Sequence, residues 1–320
     1  MSVGEAKSLD AFLALRTAVM SSRPLDGLIP DTYARDHEAF EALSNQRALI
    51  ADWLVDRLDS RGGSSLSILS VGCGDGALDT MIAERMLAGD PDGPTLRYVG
   101  VEPLAASAGR FRERLGSIES DRLSFDAVVA AFAETCLDET FDVVMFVHSM
   151  YYVPDVAEAA HAASALLGPG GETIVLSAPR GALNLLAGLL APTIEGHRQW
   201  FSDDVLEALV GSVAEVRFPA SIQAVVDLTE ATDDVLDFTV QARLTPELRL
   251  LVRRYLAAVS LVAGRSEVAH PVDAYVVPSS RGHAASVMLS GRAHPAGTVL
   301  KDRQEPSGPR SASSRLLPGR

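Results

Sequence analysis

Ser67-Ile68-Leu69-Ser70-Val71-Gly72-Cys73-Gly74-Asp75-Gly76-Ala77 is the stretch on which the reading of this chain turns. An aliphatic run meets three glycines at alternate positions, and a helical segment, Leu78 to Leu87, follows. The pattern predicts a strand, a tight turn and a helix N-terminus. Glycine suits the turn because it adopts backbone angles that a Cβ obstructs and lets a ligand lie against bare backbone. The helix adds N–H groups with no partner inside its own first turn.

Two ligand classes fit such a turn. Gly72, Gly74 and Ala77 satisfy the G-x-G-x-x-G/A pattern of dinucleotide sites, and Gly72, Gly74 and Gly76 satisfy the tighter G-x-G-x-G of enzymes that use S-adenosylmethionine. A tight turn that binds nothing also produces the run. The surroundings have to decide.

Ahead of the turn, residues 8–22 read as a short helix with Leu9, Phe12, Leu13 and Val19 on its apolar side. Tyr33 to Leu58 reads as one long amphipathic helix, with Phe40, Leu43, Ile50, Trp53, Leu54 and Leu58 near helical spacing. A dinucleotide dehydrogenase usually begins at its first strand, so this helical prelude argues for a cap over the end of a sheet. After the turn, strands at 67–71, 96–101, 125–129, 141–147 and 172–177 alternate with helices at 76–88, 104–115 and 155–167. That alternation predicts a parallel, doubly wound sheet with its ligand at the strands' carboxyl ends. Beyond 180, Ser202 is expected to cap a helix with an apolar staple from Phe201, and Ile222 to Leu228 reads as a strand. Thr245-Pro246-Glu247 opens a further helix running to about Val262, and Asp273 to Val277 reads as a last strand. From 279 onward a Gly, Pro, Ser and Arg rich segment without period reads as a disordered tail, with 284–289 as an optional short strand.

Composition narrows the function classes. Nearly half of the 320 residues are apolar, yet no uninterrupted apolar run has a membrane-spanning length, and the N-terminus lacks the features of a secretory signal. A cytoplasmic protein that enters no membrane is expected. Net charge is −14; residues 279–320 carry +5, leaving −19 on residues 1–278. Such a body repels phosphate backbones, which argues against nucleic acid as a partner. Cys73 and Cys136 make neither a disulfide framework nor a zinc motif, and Cys73 reads as a small filler of the turn.

Four features then occur in order: the glycine turn, Glu102 closing the second strand, the exit Val147-His148-Ser149-Met150-Tyr151-Tyr152 from the fourth strand, and Leu166-Leu167-Gly168-Pro169-Gly170-Gly171 before the fifth. A carboxylate at the end of the second strand is placed to accept from both ribose hydroxyls of a nucleoside on the turn. This order resembles the class I methyltransferases that use S-adenosylmethionine. Ile68 to Asp79, Val101-Glu102-Pro103, Met150 to Asp155, Phe201-Ser202-Asp203-Asp204 and Leu236-Asp237-Phe238 further resemble histamine N-methyltransferases over about residues 33–278, and Ser70 shares that family's serine where most class I enzymes have an acid.

The resemblance implies a Rossmann-like α/β fold with a mostly parallel seven-stranded sheet. A helical cap (1–64) would precede the cofactor domain (65–278), with substrate-side insertions in 180–270 and the tail beyond. It implies cofactor contacts from Ser70, Gly72, Gly74, Gly76, Glu102 and Pro103, and also from Ser107, Phe132, Val147 and His148. The partner expected is a small-molecule methyl acceptor bound by a monomer. Acceptor contacts are expected from Gln46, Tyr151, Tyr152 and His270. Gln46 replaces the family's ammonium-holding glutamate, and His148 and His270 replace a glutamine and an asparagine, so the cofactor half is kept and the acceptor half rewritten. His148 is the candidate base, because imidazole ordinarily titrates near working pH, or else it orients the acceptor; Tyr151 stands beside it as a second catalytic candidate. N-methylation of an amine is favoured, with O-methylation, or C-methylation of a 2-keto acid in specialised metabolism, as rivals. A non-catalytic protein that binds the cofactor and an NAD-dependent oxidoreductase are the competing classes. His270, Asp273 and His283 match no metal motif, and no metal is expected.

Overall fold

The computed structural model describes residues 3–22, 24–28, 30–89, 92–190 and 200–279. The described residues belong to the unit Met1–Gly282. The tail expected from 279 and the optional strand at 284–289 fall outside them, apart from Ser279.

Five parallel strands form the body of the sheet: β1 (Ser65–Val71), β2 (Thr95–Val101), β3 (Leu123–Val128), β4 (Phe141–Val147) and β5 (Leu167–Ser177). Helices α4 (Ala77–Gly89), α5 (Ala105–Gly116) and α6 (Val156–Ala165) cross between them. Two more strands, β6 (Arg217–Ile222) and β9 (Val272–Pro278), complete the order β3-β2-β1-β4-β5-β9-β6, with β9 antiparallel to both its neighbours. The expected seven-stranded, mostly parallel sheet is therefore present. Register does the positioning. Val71 pairs with Val101 on one side and Phe146 on the other, so the chain leaves all three strands at one level. Gly72, Glu102 and Val147 consequently meet at one end of the sheet.

The two sheet faces separate by strand periodicity. Leu66, Ile68, Val143 and Met145 join α4, α5 and α3 (Gln46–Asp59) in one core, and Leu69, Val71, Val144 and Phe146 join α6 and α8 (Ser202–Ser212) in another. A third core draws Leu15 and Val19 from α1 (Val3–Ser21), Phe40 from α2 (Pro30–Glu41) and Leu186 from α7 (Asn184–Leu190). It also takes Leu236 from α9 (Asp233–Val240), Val252 from α10 (Pro246–Ala258), Val226 from β7 (Val225–Asp227) and Val268 from β8 (Glu267–Ala269). Each fully buried aliphatic side chain contributes about 1.5–3 kcal/mol to these cores. Among the described residues no helix is long and apolar enough to cross a membrane.

Four local expectations need correction. Tyr33 to Leu58 is two helices, not one. Phe40 belongs to the third core while Ile50, Leu54 and Leu58 belong to the sheet core. Between them the backbone pairs with β7: Asn45 N donates to Val225 O at 3.2 Å and Asp227 N to Leu43 O at 2.9 Å. A segment bonded sideways in this manner cannot continue a helical ladder. Ser202 is the first residue of α8 and not its cap; the Asp204 carboxylate accepts from Phe201 N at 2.9 Å, and Ser202 Oγ donates to Asp273 Oδ2 at 2.7 Å. Residues 222–228 are not one strand, because the chain leaves β6 on the main sheet and enters β7, which pairs antiparallel with β8. The helix expected over 155–167 ends at Ala165, and the strand expected from 172 begins at Leu167.

Candidate active site

The glycine turn is built as its sequence suggests, but its glycines do different work. Gly72, Gly74 and Gly76 all hold positive φ, at 67°, 58° and 75°. A Cβ on Gly72 would collide with the Cβ of Ser149, and one on Gly76 would come within 2.7 Å of the Phe111 ring. Those two glycines let protein pack on protein. In front of Gly74 a Cβ would meet no atom within 4 Å, so here alone in the turn bare backbone faces open space.

Glu102 is tied to that same residue. Its Oε2 accepts from Gly74 N at 3.1 Å and its Oε1 from Leu104 N at 3.0 Å, with the residue only 8 % exposed. Gly72 N and Cys73 N both donate to Val101 O, which fastens the turn to the end of β2. Cys73 is a filler: a Cβ on Gly100 would overlap its Sγ, and burial pushes its thiol well above the ordinary range.

Ser70 is the last residue but one of β1, just ahead of the turn. It is buried, and its hydroxyl bonds the buried Asp79 carboxyl, which burial raises to about 7 against that hydrogen bond. Pro103 is exposed beside the turn, and Ser107 Oγ accepts from Arg110 at 3.2 Å. Phe132 is half-buried with its ring edge-on to Phe146 at 5.4 Å, and Val147 packs against the sheet core.

At the exit of β4 the chain turns sharply. His148 takes φ 51°, a left-handed conformation that L residues seldom adopt, and its N–H donates to Leu176 O at 3.1 Å. Ser149 follows, its Oγ donating to Val71 O at 2.5 Å while its Cβ covers Gly72. His148 is thereby clamped beside the glycine turn. Its Nε2 lies 2.8 Å from Gln46 Oε1, and Gln46 Nε2 donates to His270 O at 2.6 Å. The His270 ring is buried edge-on to Phe40, with Nδ1 3.1 Å from Ser44 Oγ. Burial, then His270 and His37, lower His148 to about 3, and burial lowers His270 to about 4. Both rings are neutral at physiological pH.

Three of the four expected acceptor-side residues are described here with their side chains. Gln46 and His270 join His148, though Gln46 spends its amide on the protein. Tyr152 points outward, 72 % exposed, so it does not wall an enclosed pocket. The side chain of Tyr151 lies outside the described residues. His270 and Asp273 diverge, since the Asp273 carboxylate accepts from Ser202, and His283 is not described; among the described residues no group of three metal-binding side chains occurs. Ser44, Ser149, His37 and Asp79 were not singled out from sequence. Ser149 sits next to a residue that was, and Ser44 carries no local signal because its partner His270 lies 226 residues away.

Residues 37–212 match the family model described as a methyltransferase domain, and the chain belongs to that family. It is 27 % identical over 203 residues to methyltransferase GfsG of Streptomyces halstedii, across 63 % of this chain and 66 % of that one. It is 27 % identical over 135 residues to the ubiquinone biosynthesis O-methyltransferase of Pseudomonas fluorescens, across 42 % of this chain and 52 % of that one. The chain thus spans about two thirds and about half of these curated relatives. Its fold is that of the YcgJ protein of Bacillus subtilis, with TM-score 0.50, 9 % identity, and coverage of 72 % of this chain and 98 % of that chain.

Proposed function

We propose that this chain methylates a neutral hydroxyl group on a small molecule, with S-adenosylmethionine as methyl donor. The turn fits the donor: Gly74 offers bare backbone to open space, and Glu102 sits at that spot with two acceptor oxygens. When bound, the donor supplies an electrophilic methyl on positively charged sulfur. Glu102 would hold the ribose hydroxyls, the Gly72–Gly76 backbone the adjoining part, and Phe132 the adenine. The finer likeness to histamine N-methyltransferases belongs to this proposal and bears on the donor side only.

The observation that carries the choice of acceptor is the charge around His148. Its Nε2 faces the neutral amide of Gln46, and the described groups that act on its charge are His270 and His37. An imidazole lowered to about 3, beside a neutral amide, does not deprotonate an ammonium. This departs from the amine favoured on sequence grounds. A hydroxyl makes a lesser demand. It reaches His148 uncharged, donates a hydrogen bond to the imidazole, and becomes strongly acidic only as its oxygen is alkylated. Even a weak base accepts that proton, which the ring then returns to solvent. His148 thus orients the acceptor first and receives a proton late, and is not a resting-state base.

Mass spectrometry of methyl transfer to a panel of phenols, alcohols, amines, carboxylates and 2-keto acids tests this. Products are expected from hydroxyl acceptors. Turnover confined to amines would refute the choice of acceptor.

A further inference from the structure

We infer that Gln46 is a positioning residue: its amide locks His148 in the Nε2–H tautomer and so sets which ring nitrogen carries the lone pair. The inference rests on the role of His148 proposed above. It follows from two hydrogen bonds, each of which can run in one direction only. The His270 carbonyl can only accept, so the group 2.6 Å from it must be the NH2 of Gln46. The Gln46 oxygen is then the atom 2.8 Å from His148 Nε2, and an amide oxygen also only accepts. His148 Nε2 must therefore carry the proton. Turning the amide over would bring two oxygens together at the His270 end and set NH2 against Nε2.

The lock is rigid because its parts are held from several sides. Gln46 is 3 % exposed, opens α3, and its backbone N donates to Ser44 Oγ at 3.1 Å. The His270 backbone is fixed by its own N–H, which donates to Ala224 O at 2.8 Å between β8 and β9. Ser44 belongs to the break between α2 and α3, which bridges to β7. The elbow of the N-terminal helices and the β7–β8 pair therefore set the proton position on a ring that projects from the main sheet.

Charge is the second reason for glutamine. A glutamate at 46 would place an anion on Nε2–H and favour the imidazolium, which has no lone pair to offer. Among the described residues, the titratable groups that act on the ring are His37 on α2 and His270 beyond β8. His37 in turn feels Glu41, Arg47, Asp75 and Glu38. The amide keeps the geometry of an acid–histidine pair while leaving the ring neutral.

The test is long-range proton–nitrogen correlation NMR of the full chain labelled with 15N-histidine, with His148→Asn used to assign the His148 signals. The wild type should show Nε2 protonated and Nδ1 bare across about pH 5–8. Gln46→Met should admit the Nδ1–H tautomer, and Gln46→Glu should leave the ring doubly protonated at neutral pH. A wild-type ring protonated on Nδ1, or a tautomer unmoved in Gln46→Met, overturns the inference. The wild-type spectrum decides even where a variant fails to fold. Absence of methyl transfer with the expected tautomer would refute the proposed function alone, and the wrong tautomer with intact transfer would refute the lock alone.

Discussion

The donor side and the acceptor side of this site meet at the end of β4, yet they are built in opposite ways. The donor side is made by neighbours: the turn leaves β1, Glu102 leaves the adjacent β2, and 28 residues separate Gly74 from the carboxylate that holds it. The acceptor side is made by strangers: Gln46 is 102 residues from His148 and 224 from His270. The proposed donor side carries the Glu102 carboxylate at the turn. The proposed acceptor side sets two histidines, lowered by burial, around the neutral amide of Gln46. One side is set by strand register, and the other depends on three cores closing together.

That contrast can be broken by mutation. Leu236→Ala, in the third core, should cost about 2–5 kcal/mol of stability, seen as a lower Tm, while affinity for S-adenosylhomocysteine measured well below Tm stays within about twofold. A comparable loss of affinity would show that the donor side leans on the acceptor side after all. Within the turn, Gly72→Ala should cost about 2–5 kcal/mol, from left-handed strain plus overlap with Ser149. Gly74→Ala should cost only about 1–2 kcal/mol, because strain acts there without overlap. Gly74→Ala should nevertheless weaken S-adenosylhomocysteine more than its stability cost suggests. Equal stability losses at the two positions would refute the division of labour among the glycines.

A pH dependence accompanies these mutational effects. His148 and His270, at about 3 and 4 when folded against 6.5 ordinarily, stay neutral where the unfolded chain takes up protons. Each therefore makes stability fall as pH drops from 6.5 toward 4, by about 1.4 kcal/mol per pH unit. Asp79, at about 7 against 3.8, is protonated in the folded chain where the unfolded chain is ionised, and acts in the opposite sense over the same window. His148→Asn should remove one of the two histidine slopes from a plot of stability against pH. An unchanged slope would mean that the ring titrates normally.

The same contrast explains what was legible in the sequence. The strands, their parallel order, the glycine turn and Glu102 could be read because strand periodicity and a strand-to-helix turn are local patterns. Ser70 could be found but not understood, since its partner Asp79 lies in the first turn of α4 and only burial reveals the pair. The break after Glu41 was invisible because Phe40 to Ile50 keeps an apolar rhythm while switching from one core to another. Gln46 was noticed as a missing charge. That its amide is consumed between His148 and His270 required the return of the chain at β8 and β9. Tyr152 was overvalued, since proximity to the turn along the chain says nothing of which way a ring points.

Calorimetric titration of S-adenosylhomocysteine into the full chain and into Glu102→Gln tests the central claim most directly. The wild type should bind at one site, and the variant should lose about 10- to 100-fold in affinity, as expected for charge-assisted hydrogen bonds reduced to neutral ones. No heat of binding with the wild type, or equal affinity in the two, would contradict a donor held on the glycine turn by Glu102.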